Sequence, residues 1–234
     1  MPTKGRKVKE TKPSSAAQDT CSPQCLPYPR ADQSSDGRLA VDVLVEDLCF
    51  LPEVFVFDLD DTLWIGDVDR SGGPPFSIEA ASQHIASRSG SGVTLFPDVA
   101  DIFDWLERTG RRAAIASHTG EPRWAEAALR ILKTSSGTSF FDIAAVKEMH
   151  RAETVAQRSK AVHLQRIANR SGCTPSEMVF FDNMQHNVLD GESIQVTSCF
   201  TPDGLTWASI AACLVDFDRR AIARAAGEEC LGPD

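Results

Sequence analysis

At 234 residues with 42% hydrophobic content, the chain can bury one α/β core of about 100–200 residues, with a surplus at one end. The net charge of −9 excludes a general nucleic-acid binder, because neutralising phosphates takes a surplus of Lys and Arg on one face. No apolar run approaches the length of a membrane span and the start lacks the apolar stretch of a secretory leader, so no membrane association is expected, and a monomeric cytoplasmic protein is. Seven cysteines, odd in number and irregular in spacing, argue against a disulfide framework. Cys21 and Cys25 are the one close pair and, without a second pair in zinc-finger range, read as free thiols in a tail.

Residues 1–38 are rich in Lys, Ser, Pro, Gln and Asp, poor in large apolar groups and aperiodic, so they cannot offset the entropy of ordering and read as a disordered tail. Their first twelve residues set Lys4, Arg6, Lys7, Lys9 and Lys12 against Glu10, which fits a solvated tail or, alternatively, a nuclear or organelle address. A single domain is expected over 39–226, with a short tail at 227–234. Residues 39–51 alternate apolar and acidic groups and read as a short helix or an edge strand. Residues 54–57 are uncharged, β-branched and aromatic, as a strand buried on both faces of a parallel sheet must be. Residues 65–96, with their Gly-Gly-Pro-Pro and Ser-Gly-Ser-Gly runs, read as loops with a hairpin, too short for a large cap domain.

Val99, Ile102, Phe103 and Leu106 then recur at helical spacing, with Asp98 as N-cap and Gly110 at the far end. Residues 113–116 read as a strand, and a helix opened by Pro122 carries Trp124, Ala128, Ile131 and Leu132 on one face. Residues 140–146 read as a short strand, 159–170 as a helix, 178–181 and 194–200 as strands, and 205–217 as a closing helix. Strands alternating with helices predict an α/β fold, a Rossmann-like parallel sheet with helices on both faces and no large cap domain.

The first strand delivers Asp58-Leu59-Asp60-Asp61-Thr62-Leu63 at its carboxyl end, where parallel sheets bind ligands. An EF-hand loop counted from Asp58 fails, since Leu63 stands where the sharp turn needs glycine and Asp69 where a bidentate glutamate belongs. An aspartic-protease Asp-Thr-Gly fails at Leu63 as well. What remains as a structural alternative is a strand cap whose carboxylates merely bond the turn. The other strand ends decide against it. Ser117-His118-Thr119 ends the second strand, Asp182-Asn183 ends the 178–181 strand, and Lys160 opens the helix before that strand. A carboxylate pair, a hydroxyl, a cation and an acidic metal ligand converging at strand ends point to metal-assisted chemistry in one crevice.

These motifs (residues 58–63, Ser117, Lys160 and Asp182-Asn183) resemble the four motifs of the haloacid dehalogenase superfamily of phosphohydrolases. More narrowly, residues 58–64, 74–76, 95–99, 114–119, 159–160 and 178–187 look like the magnesium-dependent phosphatase 1 family, over about 54–217. The resemblance implies a Mg²⁺-dependent phosphohydrolase acting through an aspartyl-phosphate on a phosphorylated small molecule or phosphoprotein, phosphotyrosine and sugar phosphates included. It makes Asp58 the nucleophile and Asp60 the general acid/base, two residues on and on the same side of the strand. Leu59, Ser117, His118 and Lys160 would bind the phosphoryl group; Asp58, Asp60, Asn183 and Asp182 would serve the Mg²⁺, Asp182 supporting Asn183 or Lys160. Two positions depart from the family. Asn183 stands where a second Asp is usual, and His118 where an Arg is.

Asn183 offers a neutral oxygen in place of a carboxylate, as in the C-terminal-domain phosphatases of the same superfamily. Two alternatives follow: a phosphoserine protein phosphatase of that type, or a catalytically weak pseudo-enzyme that binds phosphate. Among the remaining conspicuous residues, Trp105, Trp124 and Trp207 read as packing, Trp64 as lining the site's entrance, and His84, His150 and His163 as solvated. Asn187 is expected to bond the metal shell, and Asp190 to lie within reach of it.

Overall fold

The computed structural model describes residues 34–79, 83–151 and 159–229. Most of the expected tail at 1–38, its basic stretch and Cys21 and Cys25, together with 230–234 of the expected C-terminal tail, lie outside the described residues.

β1 (Val54–Phe57) is the middle of a five-stranded parallel sheet, joined by β6 (Arg112–Ser117), β7 (Ala144–Met149), β8 (Met178–Asp182) and β9 (Thr197–Phe200) in the order β7-β6-β1-β8-β9. All four β1 side chains are buried because the strand is covered on both faces. Phe55 and Phe57 point to one face and Val54 and Val56 to the other, the period of two that a pleated strand imposes. The Phe face packs against α1 (Ser34–Asp47), α2 (Val99–Arg108), α3 (Pro122–Ile131) and α7 (Trp207–Glu229), through Val41, Phe103, Leu129 and Ile210 among others. The Val face packs on Leu164, Ile167 and Ala168 of α5 (Lys160–Ser171), and α6 (Gln185–Ser193) lies beside α5.

Several elements differ from the sequence-based expectation. The segment at 65–96, read as loops with a hairpin, holds a hairpin in β4 (His84–Ala86) and β5 (Gly92–Leu95), and further strands where loops were expected, β2 (Trp64–Ile65) and β3 (Ser77–Glu79), extend it to a small antiparallel sheet in the order β2-β5-β4-β3. Its strands are two to four residues long, below the length at which alternation shows in a sequence. The apolar run at 140–146 divides into α4 (Phe140–Ile143) and the start of β7. Ser139 caps that turn by accepting from the Asp142 N–H at 3.1 Å, and Phe140 stacks on Phe103 at a centroid distance of 4.0 Å. α1 begins at Ser34, inside the expected tail, because Val41 enters the core and the Trp105 indole donates to Asp42 at 2.9 Å. At the other end α7 runs on to Glu229. Asp98 does precede α2, but its carboxylate accepts from the Trp207 N–H at 3.0 Å and so serves the start of α7. Trp105 and Trp207 are core residues in edge contact, and Trp124 is half-buried. No helix among the described residues is long and apolar enough to cross a membrane.

Candidate active site

The carboxyl ends of β1, β6 and β8 and the first residue of α5 meet in a crevice of about 320 Å³, lined by Asp58, Asp60, Ser117, His118, Lys160 and Asn183 among others. The sheet register explains the convergence. Phe57 sits level with Ile115 and Phe181, so the residues that follow in each strand leave the sheet on one edge.

Lys160 is buried, against the expectation for a lone lysine, and its ammonium satisfies three oxygens: Asp58 Oδ1 at 2.5 Å, the Ala116 carbonyl at 2.5 Å and Asp182 Oδ2 at 3.2 Å. Ser159 caps α5 from outside, and Asp190 accepts the Lys160 backbone N–H at 2.9 Å. Asp190 thus holds the helix that carries the lysine and does not line the crevice. Burial opposes the ammonium, but the paired carboxylates of Asp58 and Asp182 outweigh it and hold Lys160 above the ordinary lysine range. Asp58 is pushed up to about 7 by burial, with Lys160 pulling the other way and Asp182 adding repulsion.

Asp60 meets a different environment. Its Oδ1 accepts from the Trp64 indole N–H at 2.8 Å and the Val68 N–H at 3.0 Å, while burial raises its carboxyl to about 6. Trp64 is fully buried, so it fixes Asp60 instead of lining the entrance as the sequence suggested. Its distance of four residues from Asp60 was the sequence signal for this contact, legible only once the tight turn at Leu59 is known, where the Leu59 carbonyl accepts from Thr62 and Leu63. Leu59 itself turns its side chain into the core, leaving only its backbone for the site. Asp61 adopts a left-handed φ of 55° and accepts the Gly66 N–H at 2.9 Å, which sets the turn's exit.

Asp182 is fully buried behind the crevice. It takes Lys160, the Met184 N–H at 2.8 Å and both its oxygens the Asn187 amide at 3.0 Å. Of the two alternatives carried by Asp182, metal ligand or support, these bonds favour support, and it does not line the crevice. Asn183 does, with its backbone N–H donating to Thr62 Oγ1 at 3.1 Å. Asn187 presents a buried Oδ1 that has no partner among the described residues.

Among the described residues no three His, Cys, Asp or Glu side chains gather as a metal-holding group. The oxygens that the crevice offers a cation are the Asp58 carboxylate, the Asp60 carbonyl and the Asn183 amide, with Asn187 lining it as well. That all-oxygen, partly neutral set suits a hard ion that keeps several waters, as Mg²⁺ does.

The second strand end brings Ser117, buried, and His118. Asp69 ties the small sheet's segment to this loop by accepting from the Thr119 hydroxyl at 2.5 Å, the Gly120 N–H at 2.6 Å and the Glu121 N–H at 3.1 Å. His163, expected on a solvated face, is fully buried between His118 and His150, at centroid distances of 4.3 and 4.2 Å. Neither of its ring nitrogens has a partner among the described residues, and burial first, then the neighbouring His118, His150, Lys160 and Arg166, pushes it down to about 2. His150 is half-buried and His84 bonds Thr94 at 2.8 Å. Asp61, Met184 and His186, which fall within the motif stretches but carry no expected role, and Asp67, which falls outside them, line the crevice as well.

A parallel α/β sheet with an acid pair, a buried lysine and a hydroxyl at its strand ends is the arrangement of a phosphatase of the haloacid dehalogenase superfamily. The family model described as Acid Phosphatase matches residues 50–220, and the chain belongs to that family. It is 30% identical over 167 residues to human magnesium-dependent phosphatase 1, covering 71% of this chain and 88% of the relative. A HAD-like hydrolase superfamily protein of Schizosaccharomyces pombe is 29% identical over 137 residues, 58% of this chain and 78% of that one. Among solved structures, CbbY from Rhodobacter sphaeroides in complex with phosphate shares the fold at TM-score 0.50 and 16% identity, over 70% of this chain and 99% of that one. The D,D-heptose 1.7-bisphosphate phosphatase from B. bronchiseptica, complexed with magnesium and phosphate, does so at TM-score 0.50 and 10% identity, over 70% and 98%.

Proposed function

We propose that the chain is a Mg²⁺-dependent phosphomonoester hydrolase working through an aspartyl-phosphate on Asp58, with phosphotyrosine, another phosphoprotein or a sugar phosphate as substrate. The observation that carries this reading is the contrast between the two acids of one crevice: Asp58 ion-paired to buried Lys160, Asp60 held by two N–H donors. The name of the human relative supports the choice of metal.

In this mechanism Asp58 attacks phosphorus, and the bond to the leaving oxygen breaks as Asp60 protonates that oxygen. Asp60, now ionised, takes a proton from water, which attacks the phosphorus of the aspartyl-phosphate and restores Asp58. A residue that must give and then take a proton works best with a pKa near the operating pH, and Asp60 at about 6 is placed for both tasks. Lys160 holds Asp58 in place and moderates repulsion between two anions. Ser117, His118 and the Leu59 backbone receive the phosphoryl oxygens, with Asp182 orienting Lys160 and Asn187. When bound, Mg²⁺ supplies charge neutralisation between carboxylate and phosphate, held by Asp58, the Asp60 carbonyl and Asn183.

The neutral Asn183 favours a second reading, a phosphoserine protein phosphatase of the C-terminal-domain type or a weak enzyme that mainly binds phosphate. Turnover of an aryl phosphate with Mg²⁺ and with chelator separates an active phosphatase from the phosphate-binding reading. The expected result is turnover that chelator abolishes and that Asp58→Asn removes at unchanged far-UV circular dichroism. Near wild-type turnover by Asp58→Asn would sink the covalent mechanism, and a wild type inert at every Mg²⁺ concentration would leave the phosphate-binding reading.

A further inference from the structure

Outside the crevice, two thiols face each other across the seam between β9 and α7. Cys199 lies on β9 and its Sγ donates to the Ser209 carbonyl of α7 at 3.7 Å; Cys213 lies on α7 and its Sγ donates to the Thr197 carbonyl of β9 at 3.9 Å. Thr197 and Cys199 are two apart on a strand, Ser209 and Cys213 four apart on a helix, so each pair shares one face of its element. The two contacts therefore cross the same seam in opposite directions and bring the two thiols to one place on it. Cys213 is 3% exposed, whereas Cys199 is half-buried. The neighbouring Cys213 thiol lowers that of Cys199, while burial and then Cys199 raise that of Cys213, which makes Cys199 the member that ionises first.

We propose that Cys199 and Cys213 are a modification site, joined by hydroperoxide into a reversible intramolecular disulfide that pins α7 to the sheet edge. The Cys199 thiolate attacks a peroxide oxygen, the O–O bond breaks, and the released hydroxide leaves as water, giving a sulfenic acid. Cys213 sulfur then attacks Cys199 sulfur, the S–O bond breaks, and the hydroxide leaves with the Cys213 proton as a second water. Two thiols and one peroxide become one disulfide and two waters, the sulfurs supplying both electrons.

The segment enclosed by this bond backs the candidate active site. Its Thr201 N–H donates to the Asp182 carbonyl at 3.0 Å and its Leu205 N–H to the Thr62 carbonyl at 2.9 Å, while Thr62 Oγ1 receives the Asn183 N–H at 3.1 Å. Closing the ring restrains the very stretch that buttresses the Asp182-Asn183 turn.

Treating the full-length protein with hydrogen peroxide, then digesting it without reductant, tests the bond independently of any phosphatase activity. The expected product is a linked pair of peptides carrying Cys199 and Cys213, lighter by two hydrogens and separated by dithiothreitol. Cys49→Ser should leave the link intact, and Cys199→Ser or Cys213→Ser should remove it. Amide exchange at Thr201 and Leu205 should slow on oxidation. Sulfinic acid at Cys199 with Cys213 still a thiol, or a link to another cysteine, overturns the site; a correct link with unchanged exchange overturns the pinning. Should either serine variant fail to fold, the wild-type peptide map and exchange data decide alone.

Discussion

Lys160 and His163 stand one turn apart on the same helix, and burial treats them in opposite ways. Around Lys160 the ammonium cannot shed its charge without leaving Asp58 and Asp182 facing each other, so the fold surrounds it with oxygens. Around His163 the imidazole can become neutral, and the fold gives it rings in place of hydrogen-bond partners. A buried titratable group is thus either paired or discharged, and which of the two occurs depends on whether its neighbours need its charge.

The largest effect should come from breaking the paired region. Lys160→Met removes the cation and leaves two carboxylates buried together, which should cost about 3–5 kcal/mol in urea unfolding as well as turnover. A variant as stable as wild type would mean that Asp58 and Asp182 do not depend on this lysine. Asp60→Asn keeps its shape but ends proton transfer, and a loss of about 10²–10⁴-fold in kcat is expected. An unaffected rate would remove Asp60 from the chemistry.

The discharged region sets up a test of sign. His163 titrates near 2 when folded against an ordinary value of 6.5, so below 6.5 the unfolded chain binds a proton that the native state refuses. Stability is therefore lost as pH falls from 6.5 towards 2, by at most about 1.4 kcal/mol per pH unit. His163→Leu abolishes that slope, and its advantage over wild type should grow by about 2 kcal/mol between pH 7.5 and pH 5. Parallel stability curves for the two proteins would show that the stack carries charge. The smallest effect is expected at Asn183, where Asn183→Asp adds a carboxylate and should tighten Mg²⁺ by up to roughly tenfold. Metal titrations that coincide would exclude position 183 from the coordination set.

How far the sequence reveals such features follows from the range of the interaction involved. β1, β8 and α5 were legible because their burial is written in runs of neighbouring residues, and Asp58, Ser117, Lys160 and Asn183 were legible because strand ends of a parallel sheet share an edge. Trp64 was misread because its role depends on how the Leu59 turn bends it back to Asp60. Residues 140–146 were read as one strand because an apolar run carries no mark of where a single helical turn gives way to extended chain. His163 looked solvated because the His118 and His150 rings that enclose it come from two other segments.

By itself, then, the sequence determined the α/β alternation, the central buried strand and the residue types that meet at its end, since hydrophobic period and strand polarity are local properties. Only the tertiary structure decided which charges are neutralised. Whether Lys160 is paired, Asp182 lies behind the crevice, Asp60 is held by an indole or His163 loses its proton depends on distances between segments far apart in the chain. Electrostatic energy and desolvation follow those distances and not the order of residues.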